Sequence, residues 1–333
     1  AVATNPRWFS PPAYGLTKFQ DLFTNRQLVA LTTFADLVAE ARSKVHDDAL
    51  TAGHSPDEAS AYADAVATYL GITVSRLSDY SSALTTWASN PQMEILRNVF
   101  ARQAIPMAWD FAEGNIFANS SGSLTKMLDA VPKAIEVLPS EASAHALQTD
   151  ASRMNRMGLI STDPPYYDNI GYSDLSDFFY VWLRRCLRDV HPELFSTLLV
   201  PKAEELVANS YRHGGKDEAR SFFEDGFKQV FQHAREHALD NFPITVYYAF
   251  KQSEMTEDGT SSSGWETLLQ SMIGAGWAIT ATWPVRSERG GRMLSIGTNA
   301  LASSIGLSLR PRPDDAPGTD RRRFLSRLRS ELP

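Results

Sequence analysis

The chain changes rhythm near residue 140, and that change limits what it can fold into. From residue 24 to about 98 the apolar side chains recur at helical spacing. Leu28, Leu31, Phe34, Ala35 and Val38 fall at intervals of three and four, as one face of a helix does. Ser55-Pro56-Asp57-Glu58 supplies an N-cap, a proline for the first position and acids for the first turn. It predicts a helix running through Tyr69, and residues 93–101 read as another. After residue 140 short apolar runs alternate with amphipathic stretches, the signature of a wound α/β sheet. Strands are expected at 144–148, 158–162, 243–250, 277–285 and 303–309. Helices are expected at 174–187 (with Ser173 as cap), 219–239 and 265–273, the last ended by Gly274 or Gly276. A turn-rich loop separates the last two strands, which suits a hairpin at the sheet edge. The division so read is a mainly helical region 1–140, an α/β domain 141–312 and an Arg-rich tail or helix 313–333.

With 333 residues and 43% apolar content the chain can bury a sizeable core in one large domain or two. It has no run of about 18 apolar residues, so no membrane span is expected. No basic stretch leads into an apolar one at the N-terminus, so no signal peptide is expected either. The single cysteine, Cys186, rules out a disulfide framework or a cysteine-based zinc site within this chain and suits a reducing cytoplasm. It reads better as a small buried hydrophobe than as a nucleophile. His46 and His54 are too far apart to share one helix face as ligands and read as surface residues.

The net charge of −7 is not the footprint of a protein that wraps nucleic acid by electrostatics alone. Local clusters soften this. Arg286, Arg289 and Arg292 stand in a Gly-rich segment, where backbone can approach a phosphate closely, so the 286–297 loop is a DNA-contact candidate. Arg310, Arg312, Arg321, Arg322 and Arg323 read more simply as solvated faces or a terminal helix.

The strand predicted at 158–162 ends in Asp163-Pro164-Pro165-Tyr166. Proline offers no backbone donor and locks φ, so the Pro-Pro step stops sheet pairing and stiffens the turn. A stiff turn there holds a carboxylate, exposed carbonyls and a flat ring at the strand's C-terminal edge, where α/β sheets bind ligands. The set suits gripping a planar amine between hydrogen-bond acceptors and a stacking face. Taken alone, four such residues are equally an ordinary strand-ending turn.

The motif and its flanks resemble a known family. The run from Ser161 through Asp163-Pro164-Pro165-Tyr166-Tyr167-Asp168-Asn169 to Tyr180-Val181-Trp182-Leu183-Arg184-Arg185 is similar to large bacterial adenine-specific DNA methylases, proteins often found among phage-defence genes. Tyr14-Gly15-Leu16-Thr17-Lys18-Phe19, Trp109-Asp110-Phe111-Ala112-Glu113-Gly114-Asn115 and Asn299-Ala300-Leu301-Ala302-Ser303-Ser304 resemble segments of the same family, so the likeness runs nearly the whole length. It implies a Rossmann-like, S-adenosylmethionine-dependent methyltransferase sheet, incomplete here, with an inserted or N-terminal helical region. The strand order after residue 140 fits the second half of that fold, whose last strands form an antiparallel pair.

The resemblance also implies roles. Asp163 and the Pro164 carbonyl would accept from the adenine amine, and Tyr166 would stack on a base flipped out of double-stranded DNA. Tyr167 and Tyr172 would be further stacking groups, or tyrosines that anchor a loop by their hydroxyls. Asp150, expected at the end of the preceding strand, would bind the S-adenosyl-L-methionine adenine, or simply cap a helix. Lys18 would lie beside the cofactor's methionine end, or be an exposed lysine. No metal is needed. The family's Asp-Pro-Phe-x-Gly-x-Gly cofactor loop has no match: the segment 110–115 after a weak strand at 105–109 is nearest, and Asn119-Ser120-Ser121-Gly122 is another pocket candidate. In that family the loop lies upstream of the matched part, and the chain begins at Ala1 without methionine. The expectation is therefore a C-terminal portion, or one chain of a split enzyme, whose partner is an upstream segment or second subunit. Two other readings stand beside DNA adenine methylation: an amino-methyltransferase for RNA, and a non-catalytic DNA-recognition scaffold of a defence complex.

Overall fold

Two long helices form where the apolar periodicity and, for the second, the Ser55 cap predict them. Helix α1 (Asn25–Thr51) starts at Thr24, whose Oγ1 accepts from the Gln27 N–H while the Gln27 side chain accepts from the Thr24 N–H. Helix α2 (Pro56–Ser78) starts at Ser55, paired in the same reciprocal way with Glu58, and runs past the expected end at Tyr69. The computed structural model describes residues 8–90, 93–139, 144–154, 158–167, 170–249, 263–285 and 304–331. Those residues form an α/β protein with eight α-helices and, besides one two-stranded ribbon, a mixed sheet of four strands. None of its helices is long and apolar enough to cross a membrane.

The chain divides into two units that interleave in sequence: Ala1–Gln148 with Asp168–Gly215, and Thr149–Tyr167 with Lys216–Pro333. Residues 168–215, read from the sequence as part of the α/β half, thus pack with the helical region. The reason is apolar. Leu175, Phe178 and Trp182 join Trp8, Phe23, Leu31 and Leu77 in one buried cluster.

In the first unit the chain leaving α2 turns on Asp79, a fully buried carboxylate. It accepts from Arg76, from the Asn98 side chain and from the Phe100 N–H at 2.7–2.9 Å. That anchor keeps residues 93–101 from forming the expected helix. They form strand β2 (Met93–Arg97) instead, antiparallel to β1 (Thr86–Asn90). Ile95 faces out while Leu96 is buried, the two-residue period of a strand. Helix α3 spans Leu124–Val137, α4 Tyr172–Leu187 and α5 Pro192–Phe195.

Ser173 does not cap α4. The cap position is Gly171, where a Cβ would fall 2.5 Å from the Trp8 indole nitrogen, so only glycine fits. Ser173 lies inside the first turn, and its N–H and hydroxyl both donate to Glu205. Arg212 bridges Glu205 and Asp174, while Lys202 pairs with buried Asp177. Cys186 is buried, and desolvation pushes its thiol up to about 12, so it packs as a hydrophobe and is not a thiolate nucleophile.

The second unit holds the sheet. Strand β3 (Ser161–Thr162) pairs parallel with β4 (Ile244–Ala249). Strand β6 (Ser304–Pro311) lies antiparallel between β4 and β5 (Trp277–Val285), giving the order β3-β4-β6-β5. The expected strand at 158–162 is therefore shorter, with a single bridge from Gly158 to Ala238 ahead of it. The expected strand at 144–148 is absent: the segment is exposed and irregular, carries no β-branched residue, and leaves Leu147 63% in solvent. Nor is there a strand at 105–109, where Ile105 makes only an isolated bridge with Phe9.

Helix α6 (Lys216–His237) buries Phe223, Phe227 and Phe231 at four-residue intervals. The Trp277 indole N–H donates to the Phe231 carbonyl at 2.9 Å and ties β5 to that helix. Helix α7 (Ser263–Gly274) precedes β5, with Gly276 at φ +85° in the left-handed turn between them. The terminal arginines Arg321, Arg322 and Arg323 open an exposed helix, α8 (Arg321–Glu331), started by the Asp320 side chain.

Candidate functional site

The residues after β3 cannot continue the sheet, because Pro164 and Pro165 have no N–H to give. The chain turns out at the carboxyl ends of the parallel pair β3 and β4, and Asp163 is left exposed there. It is not left loose. The Tyr166 hydroxyl donates to Asp163 Oδ1 at 2.7 Å. The Tyr166 ring meets Tyr248 edge-on, with centroids 5.4 Å apart and planes at 83°. Tyr248 sits near the end of β4, is 3% exposed and packs at a tilt against Trp265 of α7. A carboxylate offers about four lone-pair sites. The phenol occupies one, so acceptor capacity remains at the sheet edge.

The next residue is strained. Tyr167 has φ +40°, the only non-glycine residue at positive φ among the described residues. Such a backbone costs about 1–3 kcal/mol and persists only where the surroundings hold it. Here the holder is Phe223, whose ring meets Tyr167 edge-on at 5.1 Å. The aromatic wall of the turn is thus Tyr166, Tyr167, Tyr248 and Phe223. The last two were invisible as site residues in the sequence, where they read as strand and helix core.

The other expected site residues are dispersed. Asp150 lies in the second unit but ends no strand. It caps a short 3-10 turn at Ala151–Arg153, with Oδ1 accepting from the Ser152 N–H and hydroxyl at 2.9 and 2.8 Å. The Ser152 amide hydrogen bond holds its carboxyl below the usual range. Lys18 and Tyr172 belong to the first unit. Lys18 is exposed, and its own N–H donates to Asp21. Tyr172 opens α4 half-buried. Arg286, Arg289 and Arg292, and residues 299–303 of the family-like segment, lie outside the described residues.

The two glycine-bearing candidates, 110–115 and 119–122, do come together. Glu113, Gly114, Asn115, Ser120, Ser121 and Gly122 line a cavity of about 510 Å³ in the first unit with Tyr80 and Trp87. Packing explains the first glycine: a Cβ on Gly114 would stand 2.9 Å from Leu96 Cδ2. Glu113 is held by the Arg26 guanidinium at 2.8 Å.

No family model, curated protein or solved structure matches the chain.

Proposed function

We propose that the second unit is the base-holding half of an S-adenosyl-L-methionine-dependent methyltransferase acting on adenine N6 in double-stranded DNA. The observation that carries this reading is the Asp163–Tyr166 pair, a carboxylate and a ring joined by one hydrogen bond at the carboxyl edge of two parallel strands. The order β3-β4-β6-β5, with its antiparallel last pair, supports a Rossmann-like methyltransferase sheet.

An adenine amine is a poor nucleophile because its lone pair is delocalised into the ring. Acceptors aimed at its two N–H bonds favour the pyramidal amine, whose lone pair is then directed out of the ring plane. Asp163 and the Pro164 carbonyl are those acceptors, preorganised by a turn that two prolines stiffen. Tyr166 offers its ring to the extruded base, since an enzyme that modifies a base must take it out of the stack. Positioning of this kind supplies most of the rate, with no covalent intermediate.

The donor, when bound, supplies an electrophilic methyl group. The residues expected to hold it are used otherwise: Asp150 caps the Ala151–Arg153 turn, and Glu113 beside Gly114 pairs with Arg26. No step is therefore assigned to donor-binding residues. An upstream segment or second subunit is the proposed source of the glycine loop.

Incubating the protein, with its upstream segment or second subunit supplied, with tritiated S-adenosylmethionine and either unmethylated duplex DNA or RNA tests the reading. Label recovered as N6-methyldeoxyadenosine supports it. Label in RNA alone would move the activity to an RNA amino-methyltransferase. Label in neither polymer, with DNA still retained by the protein, would favour a recognition scaffold.

A further inference from the structure

The last turn of α6 carries His233, Glu236 and His237, one from each of the three positions that share a helix face. Their candidate ligand atoms all lie within 4.8 Å of one another. From this cluster we infer a divalent transition-metal site, built by two imidazoles and a carboxylate on the second unit. The inference does not rest on the methyl-transfer reading, whose chemistry uses no metal.

Hydrogen bonding has already sorted the ring nitrogens. His233 Nε2 lies 2.9 Å from the Met154 carbonyl and His237 Nδ1 lies 2.9 Å from the His233 carbonyl. A carbonyl only accepts, so each of those nitrogens carries the proton. In the neutral rings the lone pairs then sit on His233 Nδ1 and His237 Nε2. Metal-binding histidines are commonly oriented this way, with one N–H donated to a backbone carbonyl while the other nitrogen ligates. The rings lie 4.1 Å apart at 36°, the close approach that a pair four residues apart on a helix permits.

Electrostatics favours a cation at the same place. The three residues close the C-terminal turn of α6, the negative end of its dipole. The Asp150 carboxylate lies near enough to His233 to add negative potential there. Glu236 is exposed and can swing onto an ion without leaving a buried group unpaired. Two imidazoles with one carboxylate select zinc, nickel, copper or cobalt over calcium or magnesium. Three protein ligands leave a fourth position for water, as in open zinc sites. The order His-x-x-Glu-His is also one that zinc hydrolases place on a helix. Because His233 also bonds the Met154 carbonyl, an ion there would fasten the 150–154 segment to α6.

The test is titration of the full chain, stripped with chelator, with Zn²⁺ by calorimetry and with Co²⁺ by visible absorption. One equivalent of Zn²⁺ should bind with a dissociation constant at or below about 10 μM. Co²⁺ should develop ligand-field bands that Zn²⁺ abolishes. His237→Ala and Glu236→Gln, at half-buried and exposed positions, should each weaken Zn²⁺ by at least about tenfold. Thermal melts of both variants without metal should match the parent. Absence of a saturable equivalent, or variants that bind Zn²⁺ as tightly as the parent, would overturn the site.

Discussion

Asp79 in the first unit and Asp163 in the second are both carboxylates at the end of a regular element, and they are used in opposite ways. Asp79 is fully buried, and three hydrogen-bond donors surround it. Asp163 is exposed, holds one phenol and stands on a turn of two prolines. The first is closed to a ligand by burial, and removing it would strand the Asn98 side chain and the Phe100 N–H. The second contributes little to the fold and keeps acceptors turned outward. The contrast separates acids that hold the structure from acids available for chemistry. The same criterion places Asp174, Asp177 and Glu205 with Asp79, since each is engaged by Arg212 or Lys202.

Three perturbations would break or sharpen that contrast. The largest effect on stability is expected at the buried acid. Asp79→Ala should cost about 2–4 kcal/mol, read as a lowered urea midpoint, because it leaves the half-buried Asn98 side chain and Phe100 N–H without their acceptor. A loss below about 1 kcal/mol would mean that solvent reaches the site and that burial does not distinguish the two acids.

Tyr167→Gly is the intermediate case. It relieves about 1–3 kcal/mol of backbone strain. It also forfeits the edge contact with Phe223, worth about 0.5–1.5 kcal/mol, together with buried ring area. The melting temperature should therefore move little, while methyl transfer falls about ten- to a hundredfold as the turn loosens. A large drop in melting temperature would mean that the strained residue serves the fold.

The smallest effect concerns Asp150. Its folded pKa lies below the unfolded value of 3.8, chiefly through the Ser152 amide. A depressed carboxyl contributes stability that is present above the unfolded pKa and is lost as pH falls through the folded one. Asp150→Asn should therefore be slightly less stable than the parent at pH 7, and the gap should close as pH falls below 3.8 and through the folded value. A gap that persists in acid would show that the charge is not the cause.

Much of this was legible in the sequence where the determinants are local. The cap at Ser55 lies within three residues of its partner Glu58, and that helix starts where predicted. The Asp163–Tyr166 turn is equally local, as two prolines and a hydroxyl three residues from a carboxylate define it. What failed depended on distance. Residues 93–101 carry a helix-like pattern, but Asp79 captures the Phe100 N–H from 21 residues away. Ser173 looks like a cap until Glu205, 32 residues on, takes its N–H and hydroxyl. Tyr248 and Phe223 join the motif's wall only through strand pairing and helix packing. The His233–His237 cluster is the exception: its His-x-x-Glu-His spacing is local, yet only the folded geometry drew it out.

On the proposed reading, Asp163 holds a reacting amine and not the fold. The most direct test is transfer of labelled methyl to DNA adenine by Asp163→Ala beside the parent, each with the upstream segment or second subunit supplied, and a thermal melt of each. Transfer should fall by at least about a hundredfold, with a melting temperature within about 2 °C of the parent, since the Tyr166 phenol can turn to solvent. Transfer retained within about threefold, or a loss that follows a melting temperature lowered by about 8 °C or more, would contradict it.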